Sequence, residues 1–207
     1  MLLGIVILGV TIAAPDKERV PPRIGDHWHA AYAIYNCNSF LPPLTDVVSD
    51  TSGLHTHDDG LMHLHPFASK YSGDGANIGN WGDIVGLDVT DTSIKAQGIN
   101  VKNGDECGGK PGKVQLKVWT NPDDPTGRII DEDFAKFAPQ NFEVWTLAFV
   151  PAGADIPLPP EGALANLAAP SDLPQSQQPT DTTPVTGLPP EATSTTAPSA
   201  STTTSEP

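Results

Sequence analysis

All six histidines of this 207-residue chain lie between positions 27 and 65. They form three His-x-His pairs: His27-Trp28-His29, His55-Thr56-His57 and His63-Leu64-His65. On a strand, residues i and i+2 point to the same face, about 7 Å apart along the chain. That spacing lets two imidazoles converge on one ion, and neutral imidazole suits Zn²⁺, Cu²⁺, Ni²⁺ and Fe²⁺. A lone pair on an exposed strand is often only solvated, and a His-rich tract can be merely compositional. Three pairs in so short a stretch, with no histidine elsewhere, point to a metal site. Asp26, Asp58 and Asp59 are candidate oxygen ligands or acceptors that orient imidazole rings. Asp59 also suits a turn.

The turn between the second and third pairs decides whether they cooperate. It reads His57-Asp58-Asp59-Gly60-Leu61. A three-residue loop, Asp58-Asp59-Gly60, would be a type I turn followed by Gly60 in the left-handed region. It sets His57 opposite Leu61, Thr56 opposite Met62 and His55 opposite His63. His55, His57, His63 and His65 then share one face, and Leu54, Thr56, Met62 and Leu64 form the other, mostly apolar face. A two-residue Asp59-Gly60 turn is the competitor. It sends His63 and His65 to the face opposite His55 and His57 and mixes histidine into the core. The clean separation of the two faces favours the three-residue loop. The predicted ligands of one ion are His55, His57 and His63, with a fourth position taken by His27, His29 or His65.

The elements that must carry these side chains follow from patterning. Over 27–36, His27, His29, Ala31, Ala33 and Tyr35 share one strand face, while Trp28, Ala30, Tyr32 and Ile34 form the better core face. Residues 114–119 alternate as a strand after a Gly-rich loop over 103–112. Residues 142–150 form an apolar run suited to a central or fully covered strand. Asn77 caps a short predicted helix over 78–85, with Ile78, Trp81 and Val85 at helical spacing and Gly86 beyond its end. The expected class is α+β, mainly antiparallel β: a single compact domain with one short helix, followed by a disordered tail.

The expected organisation has three parts. Residues 1–20 form a signal or membrane-anchor segment, built on the apolar run at 2–14, which is shorter than a confident membrane span. Residues 21–155 form the β-rich histidine-containing domain. Residues 156–207 form a Pro/Thr/Ser-rich tail. From residue 151 onward the chain has no aromatic or basic residue, so the tail is expected to be disordered and removable from Pro160 without loss of stability. The net charge of −14 excludes nucleic acid as a partner, since phosphate contacts need clustered Lys and Arg. Cys37 and Cys107, the only cysteines, are expected to form a disulfide in an oxidising compartment.

Three stretches carry a resemblance: Asp26-His27-Trp28-His29-Ala30, the block from Leu54 to Phe67 (LHTHDDGLMHLHPF), and Val144 to Pro151 (VWTLAFVP). They resemble an uncharacterised family of exported, membrane-tethered actinobacterial proteins, in which a His-Thr-His-Asp block and a glycine precede a strand and a short helix ending in Gly. Ile78 to Gly86 would be that helix. The resemblance implies an N-terminal membrane segment and a periplasmic or cell-surface domain, and brings no activity with it; the expected location is the extracellular side of the cell membrane or secreted. The His-x-His start of a cupin motif is also present, but Leu61 and Met62 stand where that motif wants a glutamate.

The leading expectation is an extracytoplasmic metal-binding protein that holds copper or zinc, tethered to the membrane through its N-terminal segment. A metalloenzyme with three histidine ligands and an open position is the second reading, although Glu106, Glu132 and Glu143 lie in no recognisable general-base motif. A structural surface domain that binds no metal is the third. No nucleophile elbow, phosphate loop or dinucleotide fingerprint occurs.

Overall fold

The computed structural model describes residues 19–172; the apolar run at 2–14 and the chain beyond 172 lie outside the described residues. In chain order the elements are β1 (Trp28–Asn36), β2 (Ser39–Phe40), β3 (Leu54–His55), β4 (Leu61–Leu64), α1 (Ile78–Val85), β5 (Asp88–Thr90), β6 (Ser93–Ala96), β7 (Ile99–Lys102), β8 (Glu106–Cys107), β9 (Lys110–Trp119), β10 (Arg128–Ile130), β11 (Val144–Pro151) and α2 (Glu161–Ala168). The main sheet has the order β10-β9-β11-β1-β4-β3, with β2 on β1 and β8 on β9, and β5-β6-β7 form a second, smaller sheet. The β1–β11 pair is parallel, from Ala31↔Val144 to Asn36↔Phe149. The other pairs are antiparallel. The apolar run of β11 therefore sits at the centre, buried from Val144 to Val150, as its lack of alternation implies.

Both faces of this sheet are covered. On one, Tyr32, Leu54, Met62, Leu64, Leu116 and Trp145 pack against α1 and the small sheet. The rings of Tyr32, Trp81 and Trp145 pack at centroid distances of 4.7–5.8 Å. The helix has the expected bounds. Asn77 accepts a hydrogen bond from the Asn80 amide at 2.9 Å, and Gly86 takes the left-handed conformation (φ 72°). On the other face, Ala31, Leu61, Val144, Ala148 and Val150 pack against Ile156, Ala163 and Leu167.

That second cover corrects the expectation of a disordered tail from residue 156. Residues 156–172 pack on the domain, and α2 is a second helix where none was predicted. The physical reason is local. Ala163, Leu164 and Leu167 fall at helical spacing and close over an apolar strip of β1, β4 and β11 that would otherwise face water. Deleting the chain from Pro160 removes this cover, so the expectation of a neutral truncation is also withdrawn.

Two further local features went unforeseen. The small sheet β5-β6-β7 uses the alternation Val89, Ile94, Ala96 to cover the core. The Gly-rich loop over 103–112 is tightened by a hairpin in which Cys107 pairs with Lys110. Gly108 and Gly109 form its two-residue turn, both at positive φ (60° and 80°), as a type I′ turn requires. This hairpin carries Cys107 to Cys37, just past the end of β1. The two are disulfide-bonded with Cα atoms 5.4 Å apart, inside the normal bridging range.

Candidate metal centre

Strand register assembles the histidines. In the β3–β4 hairpin His55 pairs with His63 and Leu54 with Leu64, which is the register of the three-residue loop. In the neighbouring β1–β4 pair His29 lies opposite His63. One row of residues thus crosses three adjacent strands as His55–His63–His29. Continuing the same registers sets His27 beside His65 in the next row, and their rings stack at 4.5 Å between centroids. On the other side, the His57 ring lies 4.3 Å from that of His63. All six imidazoles form one continuous patch, with His63 at its centre and fully buried.

The loop itself departs from the expected type I turn. Asp58 (φ 61°) and Gly60 (φ 77°) are both left-handed. Contacts of Asp59 hold this shape: Oδ1 accepts from the Leu61 amide at 3.0 Å, Oδ2 lies 3.0 Å from His63 Nε2, and its carbonyl accepts from Asn166 Nδ2 at 2.8 Å. Gly60 is required sterically as well, because a Cβ there would come within 2.6 Å of the Ala163 Cβ. The loop and α2 are therefore fitted to each other.

Several backbone and carboxylate contacts fix the rings. Trp81 Nε1 donates to the His55 carbonyl at 3.1 Å, tying α1 to β3. The His29 amide donates to Asn141 Oδ1 at 3.0 Å. His55 Nδ1 lies 2.8 Å from Asp50 Oδ2. A ring that donates Nδ1–H to a carboxylate presents its Nε2 lone pair outward, the arrangement that prepares an imidazole for a metal. Asp50 is itself held by the Ser52 amide and hydroxyl and by the Gly53 amide, at 2.7–2.9 Å.

Burial, followed by the charges of neighbouring histidines, lowers the pKa of His57. Burial also lowers that of His29, although Asp172 opposes it. His65 is pushed down to about 4 by burial and by His55, His27 and His63. His63 goes the other way. Burial disfavours its charged form, but the Asp59 and Asp172 carboxylates outweigh burial and raise its pKa. Burial likewise works against the charged forms of Asp50, Asp59 and Asp172, and their hydrogen bonds and histidine neighbours outweigh it, holding all three below the usual carboxylate range. His29, His57 and His65 are thus biased toward the neutral lone-pair form, whereas His63, whose two nitrogens face Asp59 and Asp172, must give up a proton to bind an ion.

Asp172 is the residue that sequence reasoning missed. It sits just past α2, and its carboxylate reaches four histidines: His27 Nε2 at 3.0 Å, His29 Nε2 at 2.9 Å, His63 Nδ1 at 3.0 Å and His65 Nε2 at 3.9 Å. Donor atoms fall within 4.8 Å of one another in three groups: His55, His57 and His63; His27, His29 and Asp172; and His63, His65 and Asp172. Ligands on a four-coordinate ion with bonds of about 2.0–2.1 Å lie about 3.3 Å apart, so modest side-chain adjustment closes any of these groups around an ion. Among the described residues, buried His65 Nε2 has no hydrogen-bond partner, a state that costs about 1–3 kcal/mol unless another group satisfies it.

The remaining candidates fall outside the patch. Asp26 Oδ2 accepts from the Arg23 amide, and Asp58 is exposed and belongs to none of the three groups. The Glu143 carboxylate is occupied by Arg19, Arg128 and the Gln140 amide. Glu106 accepts from the Gly109 amide in its own hairpin. No described helix is long and apolar enough to cross a membrane, and the disulfide fits an oxidising environment. Compared with family models, curated proteins and solved structures, the chain matches none.

Proposed function

We propose that this chain binds a transition-metal ion, zinc or copper(II), outside the cytoplasm, with His55, His57 and His63 as ligands of one ion. The observation that carries the reading is the row His55–His63–His29 across three paired strands, with His57 beside it. Paired strands hold His29, His55 and His63 together at low exposure, with His57 exposed at the edge of the row, and Asp50 orients His55 from behind. The donor set narrows the ion. Both cysteines are consumed in the disulfide and Met62 lies in the core on the opposite face. With no sulfur donor there among the described residues, the site disfavours copper(I), and its nitrogen-rich composition disfavours Ca²⁺ and Mg²⁺. The disulfide and the resemblance to exported proteins support the extracytoplasmic location.

Binding and storage or delivery is favoured over catalysis, because Glu143 and Glu106 are engaged elsewhere and neither they nor Glu132 belongs to any of the three donor groups. Equilibrium dialysis of the full chain, purified without a His tag, tests the proposal. The wild-type protein should retain zinc at pH 7.5, with copper(II) displacing it. A folded His55→Ala/His63→Ala double variant should lose the ion that these residues hold and so retain less zinc per chain. Unchanged affinity in that variant overturns the assignment.

A further inference from the structure

The patch holds more donors than one ion can use. Six imidazoles and Asp172 make seven ligand groups, whereas zinc in protein sites is almost always four-coordinate. A single ion held by His55, His57 and His63 would leave the other donors unused, among them the buried His65 Nε2, which has no hydrogen-bond partner and so costs free energy.

We propose that the patch is a two-ion centre, in which His55, His57 and His63 hold one ion and His27, His29, His65 and Asp172 hold the second. Two-ion loading presupposes the metal binding proposed above. The division uses each group once. In the first set the three donor nitrogens lie within 4.8 Å of one another, as do the two nitrogens and the carboxylate oxygen of His27, His29 and Asp172 in the second. His65 joins the second set because its ring stacks on His27 at 4.5 Å, and its buried, unpartnered Nε2 lies 3.9 Å from the Asp172 carboxylate. The first set comes wholly from the β3–β4 hairpin. The second comes from the start of β1, the residue after β4, and the arm beyond α2.

Charge supports two dications at close quarters. Three carboxylates border the patch: Asp50 on His55, Asp59 on His63, and Asp172 at the second set. Each lies within 3.2 Å of an imidazole nitrogen, so their negative charge sits where it offsets repulsion between the ions. His63 stands between the sets, with Nε2 toward Asp59 and Nδ1 toward Asp172. The second ion would also lock the arm onto the sheet through Asp172.

The test is a count. Full-length protein is titrated with zinc alone by calorimetry, and its zinc content is measured after desalting. Two zinc ions per chain are expected, falling to one in His27→Ala/His29→Ala and in Asp172→Ala, and falling to one, at the other set, in His55→Ala/His57→Ala. A wild-type count of one overturns the two-ion centre while leaving the single-ion proposal standing. A count of none overturns both. Two ions retained in both His27→Ala/His29→Ala and Asp172→Ala overturn the assignment of the second set. The wild-type count needs no variant to fold, so the central number stands whatever the variants do.

Discussion

Asp50→Asn isolates the part of the account in which a carboxylate prepares a ligand without touching the ion. Asp50 Oδ2 sits 2.8 Å from His55 Nδ1. Asparagine keeps the size of the side chain and can still accept from the Ser52 and Gly53 amides through one oxygen. It places a neutral amide against the His55 ring and removes the carboxylate acceptor that orients it. Loss of such an orienting partner typically lowers metal affinity about 10–100-fold, or about 1.4–2.8 kcal/mol. The substitution also weakens a turn, at about 1 kcal/mol for a hydrogen bond, so the two effects must be separated. Zinc competition against a chromophoric chelator at pH 7.5 reads the first, and a urea melt of metal-free protein reads the second. A folded Asp50→Asn protein with wild-type zinc affinity would refute the claim that His55 binds through a carboxylate-oriented ring.

The other predictions concern the frame and its proton balance. Leu167→Ala in α2, where Leu167 is 1% exposed, should destabilise the protein by about 2–5 kcal/mol in a denaturant melt; no effect would mean that the arm does not pack on the sheet. Gly60→Ala should also destabilise, because Gly60 has φ 77° and a Cβ there would clash with Ala163. A variant with a wild-type melting temperature would contradict this. Reducing the Cys37–Cys107 bond, which closes a separation of 70 residues, should cost about 4 kcal/mol in the chain-entropy model, seen as a lower midpoint in dithiothreitol. Zinc affinity should fall as pH is lowered, starting above the ordinary histidine range because His63, whose pKa is raised, must lose a proton to bind; a flat profile from pH 7.5 to 5.5 would argue against histidine ligation. Asp124 accepts from the Thr120, Gly127 and Thr126 amides, which hold its carboxyl well below the usual range. Its stabilising contribution is therefore present above about pH 4 and lost as pH falls further toward its folded value. The destabilisation in Asp124→Ala should shrink at acid pH.

The histidine hairpin was legible because two independent patterns agree on it. The Asp58-Asp59-Gly60 loop and the apolar set Leu54, Met62 and Leu64 demand the same register, and a one-residue slip would have sent His63 and His65 to the face opposite His55 and His57. Helix α1 was legible from its ends, Asn77 and Gly86, in spite of two internal glycines. Asp172 was not legible. The chain from 151 onward lacks aromatic and basic residues, and that average conceals an eight-residue amphipathic stretch. The signal lies in Glu161 within the first turn after Pro160, followed by Ala163, Leu164 and Leu167 at helical spacing. Asp50 as the partner of His55 was equally hidden, because its position depends on how the 46–53 segment turns rather than on any period. The loop type was misjudged for a related reason. Contacts to His63 and Asn166, both set by tertiary packing, decide the backbone at Asp58.

Zinc K-edge X-ray absorption on the full chain, loaded with zinc at pH 7.5 and freed of excess metal, tests histidine ligation most directly. The account predicts a first shell of nitrogen and oxygen at about 2.0–2.1 Å, with outer-shell scattering from at least three imidazole rings and no sulfur. A spectrum with only oxygen neighbours and no imidazole scattering would contradict it.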